Sequence, residues 1–258
     1  MGQKKIQLID SNKELITFVK FTMGTAFTTQ IVVERITSEK LYPELKKNSQ
    51  NLSSYLDQID KKFSPFKANS ELNQFRRGEL DWFSLSEEMR YVIASCEQAK
   101  SVTEHAFDHY YSGVLDTTGF VKGWAIETAF QQYLAPLLGN PLIHAVNLIG
   151  GGDMQMKTRK DSNWTFTIGI VDPFDKKKAI YEVKMKSGAI ATSGIMERGH
   201  HIENADNSLV QTTVIGESLQ VVDVYATALM INPNLALPQK FQSIIIDREG
   251  ERKHAQIS

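Results

Sequence analysis

The sequence predicts an α+β fold, a single domain of antiparallel or mixed sheets flanked by helices, and three observations predict it. Several short segments alternate apolar and polar residues, the pattern of half-buried strands, while others repeat apolar residues at the helical period. Strand-like and helix-like segments do not follow one another as regular βαβ units. No GxGxxG opens a helix after a strand, which argues against a Rossmann domain.

Taken in order, residues 15–21 and 25–34 read as two strands joined by a Met23-Gly24 turn. Between residues 51 and 63, Leu52, Tyr55, Leu56, Ile59 and Phe63 keep helical spacing. Ser84-Leu85-Ser86-Glu87 has a capping-box pattern and opens a second helix carrying Met89, Val92, Ile93 and Cys96. Residues 120–134 read as a third helix despite Gly123. Residues 145–149 form an apolar strand that runs into Gly150-Gly151-Gly152-Asp153. Trp164, Phe166, Ile168 and Ile170 alternate with polar or small residues, and residues 179–186 pair with that strand across a turn over 172–178. A strand at 212–222, a helix at 223–231 and a strand at 241–247 close the chain.

The 258 residues suffice for one large domain or two small ones. The expectation is one domain over 1–258, with the first 13 residues loosely ordered. A hydrophobic content of 41% and a charged content of 23% are those of an ordinary globular protein. The net charge of −1 provides no basic field for nucleic acid or an anionic membrane. No apolar stretch reaches membrane-spanning length and no signal-type apolar run follows Met1, so no membrane insertion and a cytoplasmic location are expected. A single cysteine, Cys96, excludes an internal disulfide and reads as a buried structural thiol.

Chemistry concentrates in a few places. Asp223 and Thr227 stand four residues apart, so on a helix both oxygens share one face. A helix start there would add unpaired N–H groups and a positive dipole end, suiting a hard cation or phosphate. An aspartate at that place is also an ordinary N-cap. In Asp116-Thr117-Thr118-Gly119-Phe120-Val121-Lys122-Gly123, a carboxylate, two hydroxyls and a glycine precede a helix. Lys122 in its first turn opposes the dipole, and a nearby anion would explain it. The glycines at 150–152 and the run Ala191-Thr192-Ser193-Gly194 suit either plain turns or close approach to a ligand. Arg198-Gly199-His200-His201 suits phosphate contact better than chelation, since adjacent residues of a strand face opposite sides.

Read together and in order, these segments resemble the ApbE family of FAD:protein FMN transferases. The stations are Met23-Gly24-Thr25, Phe63 to Phe66 with Ser70-Glu71-Leu72, Ala106-Phe107-Asp108, Asp116 to Gly123, Gly151-Gly152-Asp153, Trp164 with Gly169, Asp172 and Pro173, Ala191 to Gly194, Arg198 to Ile202, and Asp223 to Ala228. The resemblance implies magnesium-dependent transfer of the FMN half of FAD to a serine or threonine of an acceptor flavoprotein, with release of AMP. It implies that Asp223 and Thr227 bind the metal by side chain, with Ala226 beside them and Val121 contributing its carbonyl. Met23 and Phe66 resemble the positions that pack on flavin or adenine. Ala106, Phe107, Asp108, Thr118, Trp124 and Ile202 resemble further FAD contacts, and Lys122 and His201 fit phosphate or catalytic support. The acceptor's proton would go to Asp223 or to a histidine. Hydrolysis of FAD to FMN and AMP, or FAD binding without catalysis, are the alternatives. The chain departs from the family after Ile202, where Glu203-Asn204-Ala205 replaces the usual Asp-Pro turn.

Overall fold

A computed structural model of the chain describes residues 3–194, 208–250 and 252–256. Its frame is a nine-stranded sheet in which every neighbouring pair is antiparallel. In spatial order the strands are β1 (Gln3–Leu8), β2 (Lys13–Thr22), β3 (Thr25–Glu34), β4 (Ile143–Gly150), β5 (Asp153–Thr158), β8 (Ser187–Gly194), β9 (Leu209–Gly216), β10 (Gln242–Asp247) and β11 (Arg252–Gln256). The remaining pair, β6 (Phe166–Val171) and β7 (Ala179–Met185), is a separate two-stranded hairpin inserted between β5 and β8. Residues 3–8, expected to be loosely ordered, form an edge strand registered against β2.

The sheet separates two apolar layers. One face carries α1 (Ser38–Phe63), α3 (Glu87–Val102), α4 (Thr118–Ala129) and α5 (Leu219–Leu229), and the main core lies among them. A short helix, α2 (Glu71–Arg76), packs on α1. The other face buries Val32, Ala145, Met156, Ile190 and Ile244 beneath Phe166 and Ile170 of the hairpin. Burying each of the largest core side chains, such as Phe27 and Phe130, contributes about 1.5–3 kcal/mol.

Four boundaries differ from the sequence reading. Helix α1 begins at Ser38, thirteen residues before the expected start at 51, although Pro43 lies inside it. Leu41 and Leu45 extend the buried stripe of Leu52, Leu56, Ile59 and Phe63, and this packing overrides the proline's lost hydrogen bond. The capping residue of α3 is Ser86, whose Oγ accepts the Met89 N–H. Glu71 of α2 accepts the Ser86 N–H and hydroxyl, so the reciprocal acid of a capping box comes from another helix. Helix α4 starts at Thr118 and continues into a wider π-type turn, Phe130–Leu134. Helix α5 starts at Leu219, not at 223, because the Leu219 N–H finds Gln155 Oε1 at 3.0 Å and the Gln220 N–H finds Glu127 Oε2 at 2.9 Å. The buried thiol expected at Cys96 is found, and burial pushes its pKa up.

Candidate active site

Two tight turns bring the ends of four strands together. Met23 (φ 50°) and Gly24 (φ 71°) form the two-residue β2–β3 loop. Gly151 (φ 58°) and Gly152 (φ 95°) form the β4–β5 loop. Paired positive φ values are those of a type I′ hairpin turn. The loops adjoin, since the Gly151 N–H donates to Ala26 O at 3.4 Å. The second turn delivers Asp153 as the first residue of β5, fully buried.

Asp153 faces two residues from the helix layer. Lys122, in the second turn of α4, places its ammonium in contact with Asp153 Oδ2 and 3.8 Å from Asp223 Oδ1. Asp223 is only 1% exposed, and its Oδ2 has no hydrogen-bond partner among the described residues. The anion that explains Lys122 is therefore a pair of carboxylates on other elements. Gly123 permits the close crossing of α4 and α5. A Cβ on it would lie 2.9 Å from both Cβ and Oδ2 of Asp223 and 3.1 Å from the Leu219 carbonyl.

The cluster continues along β8. The Thr192 N–H donates to Asp153 Oδ1 at 2.9 Å, and Ser193 Oγ lies 3.2 Å from Thr227 Oγ1, one turn after Asp223. Two carboxylates and one ammonium leave the cluster a formal charge of −1 when all are ionised. Burial pushes the Asp153 carboxyl pKa above its usual range, Lys122 opposes the rise, Asp223 adds to it, and the Thr192 N–H opposes it. A buried acidic cluster with one unshared oxygen fits a cation ligated by oxygen. A hydroxyl one turn along the same helix extends that donor set.

The ApbE family pattern matches residues 23–121 and 111–243 of this sequence. The chain belongs to the ApbE family. Among solved structures, the ApbE protein of Thermotoga maritima MSB8 is 20% identical with a TM-score of 0.74, covering 94% of this chain and 97% of that one. Flavin Transferase ApbE from Vibrio cholerae is 16% identical with a TM-score of 0.69, covering 94% and 97%. A mutant form of Flavin Transferase ApbE from Vibrio cholerae is 17% identical with a TM-score of 0.67, covering 93% and 96%. No curated protein matches. At these identities the structures establish that the α+β fold is that of ApbE.

The other residues expected at an ApbE site fall into three groups. Met23 is half-buried at the same sheet end as Asp153. Phe66 is 94% exposed, an open aromatic face. Ala106 and Phe107 are buried, and the Phe107 ring packs on Gly119 in the first turn of α4. Asp108 accepts the Tyr110 N–H at 2.9 Å and pairs with Lys100 at 2.9 Å. Burial alone would raise its pKa, but these partners outweigh it and hold the carboxyl below its usual range. The Thr118 N–H, the first of α4, donates to Asp116 Oδ1 at 2.9 Å.

Trp124 is buried against Phe63, with centroids 5.5 Å apart, and near Tyr91, two residues round the helix from Lys122. The Val121 side chain is buried in the core. Ala226 is buried, and its carbonyl accepts the hydroxyl of Thr212. His201 and Ile202 lie outside the described residues.

Asp153 was missing from the site expected from sequence, although its place just after three glycines that follow an apolar strand marked it. Asp223 is not a helix cap, as the helix begins one turn earlier.

Proposed function

We propose that this ApbE chain is an FAD:protein FMN transferase that moves the FMN half of FAD onto a serine or threonine of an acceptor flavoprotein. The observation that carries the reading is the buried Asp223 carboxylate, one oxygen unshared, beside Lys122 and one turn before Thr227. Asp223 and Thr227, with the carbonyl of Val121 and with Ala226 at the edge of the shell, would hold Mg²⁺. Bound there, the metal supplies charge neutralisation on the pyrophosphate of FAD, the main requirement of phosphoryl transfer.

The chain's own residues do the rest. Lys122 offers phosphate oxygens an ammonium only 13% exposed, and the surrounding core limits water. Met23 at the β2–β3 turn and the open ring of Phe66 supply apolar contact for the flavin or adenine. Ala106, Phe107, Asp108, Thr118 and Trp124 supply further contacts to FAD. His201 and Ile202, in the family's order after β8, complete phosphate and FAD contacts. In the reaction the acceptor oxygen bonds to the FMN phosphorus, the anhydride P–O bond breaks, and AMP leaves with that oxygen. The hydroxyl proton passes to Asp223 or to a histidine.

No helix among the described residues is long and apolar enough to cross a membrane. A cytoplasmic place for the reaction is part of the same proposal.

Incubation of the purified chain with FAD, Mg²⁺ and a flavoprotein acceptor domain tests the proposal. A flavin-fluorescent acceptor band and stoichiometric AMP are expected. AMP with free FMN and an unlabelled acceptor would make the chain an FAD pyrophosphatase. FAD binding with no AMP would make it a binding protein.

A further inference from the structure

Lys122 has two carboxylates within reach and touches one of them. Its ammonium contacts Asp153 and stands 3.8 Å from Asp223 Oδ1. A shift of about 1 Å would bring it to charge-assisted hydrogen-bond range of Asp223. That second position would be harmful to cation binding, because an ammonium and a divalent ion compete for the same oxygens. The helix α4 carries Lys122 on a flexible four-carbon stem and does not by itself select between the two acids. Asp153 can select, because its own position is fixed. It is fully buried, it follows a two-residue turn, and its Oδ1 is held by the Thr192 N–H at 2.9 Å.

We infer that Asp153 is a positioning residue that holds the Lys122 ammonium off Asp223 and so keeps an Asp223 oxygen open to a divalent cation. In this arrangement Asp223 Oδ1 stays 3.8 Å from the ammonium, beyond hydrogen-bond range, and no described residue donates to the buried Oδ2. Desolvated and without a hydrogen, that oxygen would be costly in a site meant only for stability. The inference rests on the transferase reading for the use made of the cation. The competition between ammonium and metal is a property of the three side chains alone.

The two can be separated by experiment. Mn²⁺ alone is titrated into the full-length chain without flavin, and free ion is followed by its electron paramagnetic resonance signal. Asp153→Asn, Lys122→Met and the double variant are compared with the parent, each first shown to be folded by circular dichroism. Asp153→Asn is expected to weaken Mn²⁺ binding by about tenfold or more, the range seen when a ligand's supporting residue is lost. Adding Lys122→Met to it should restore most of the loss, and Lys122→Met alone should bind Mn²⁺ at least as well as the parent. A merely structural Asp153 gives no recovery on removal of the lysine, and that result would overturn the inference. So would parental Mn²⁺ affinity in Asp153→Asn, or absence of Mn²⁺ binding in both the parent and Lys122→Met. Should Asp153→Asn fail to fold, Lys122→Met alone decides by whether its affinity falls below the parent's. Failure of the transferase reading would show separately, as no AMP from FAD in the parent whatever the Mn²⁺ result.

Discussion

Two polar clusters sit on the same sheet and are built on opposite principles. At one end His144 on β4 reaches Glu34 Oε1 with Nε2 at 2.9 Å and Ser162 Oγ with Nδ1 at 3.2 Å. Ser162 Oγ also accepts the Trp164 N–H at 3.2 Å, so both ring nitrogens and the hydroxyl have partners. At the other end Lys122, Asp153 and Asp223 bring three charges together and leave Asp223 Oδ2 unshared. The first cluster has the residue types of a hydrolytic triad, yet its groups satisfy one another and tie β3, β4 and the 159–164 loop together. The second has fewer familiar features but holds an unmet valence. Chemistry is to be sought where a buried network remains incomplete.

Four expected outcomes break or sharpen this comparison. The largest concerns Asp223→Ala, which should lower FMN transfer by more than the roughly hundredfold that loss of a supporting residue costs a metal site. Its melting temperature should not fall, because one of two mutually repelling buried carboxylates is removed. A large drop in melting temperature would instead make Asp223 a fold residue. Next is Gly123→Ala, whose added methyl meets Asp223 and the Leu219 carbonyl. Overpacking there should cost about 1–3 kcal/mol by denaturant unfolding and depress transfer, since it displaces the carboxylate. Unchanged activity would contradict the geometry.

His144→Ala tests the satisfied cluster. Loss of its two partners should cost about 1–3 kcal/mol of stability with transfer per folded molecule unchanged. A loss of transfer would show that the two ends are coupled. The smallest effect is in pH. Burial holds His109 below the ordinary imidazole value of 6.5, against the pull of Glu97 and Asp108. The unfolded chain therefore takes up a proton that the folded chain resists. The stability from His109 is present above 6.5 and is lost as pH falls through 6.5 toward the folded value. Melting temperature should decline over that window, and less steeply in His109→Gln.

Much of this was readable in the sequence because the signals are local. The strands at 25–34, 145–149 and 166–170 follow from alternation and apolar runs, and the Met23-Gly24 turn follows from a glycine between strands. The start of α1 was not readable, because its first half is held by the burial of Leu41 and Leu45 in a core shared with other elements. Nor was the start of α5, whose first N–H groups are taken by Gln155 and Glu127. At the site, Asp223, Thr227 and Lys122 were legible as residues, but their convergence was not. Asp153 shows the limit most clearly. It meets Lys122 and Asp223 from 31 positions after one and 70 before the other, and only the sheet and the α4–α5 crossing bring them together.

The most direct test is the intact mass of a flavoprotein acceptor domain co-expressed with this chain. The account requires the acceptor to gain one FMN, less water, on a single serine or threonine, and to remain unmodified when the partner carries Asp223→Ala. An acceptor left unmodified by the unaltered chain, or one modified equally by Asp223→Ala, would contradict it.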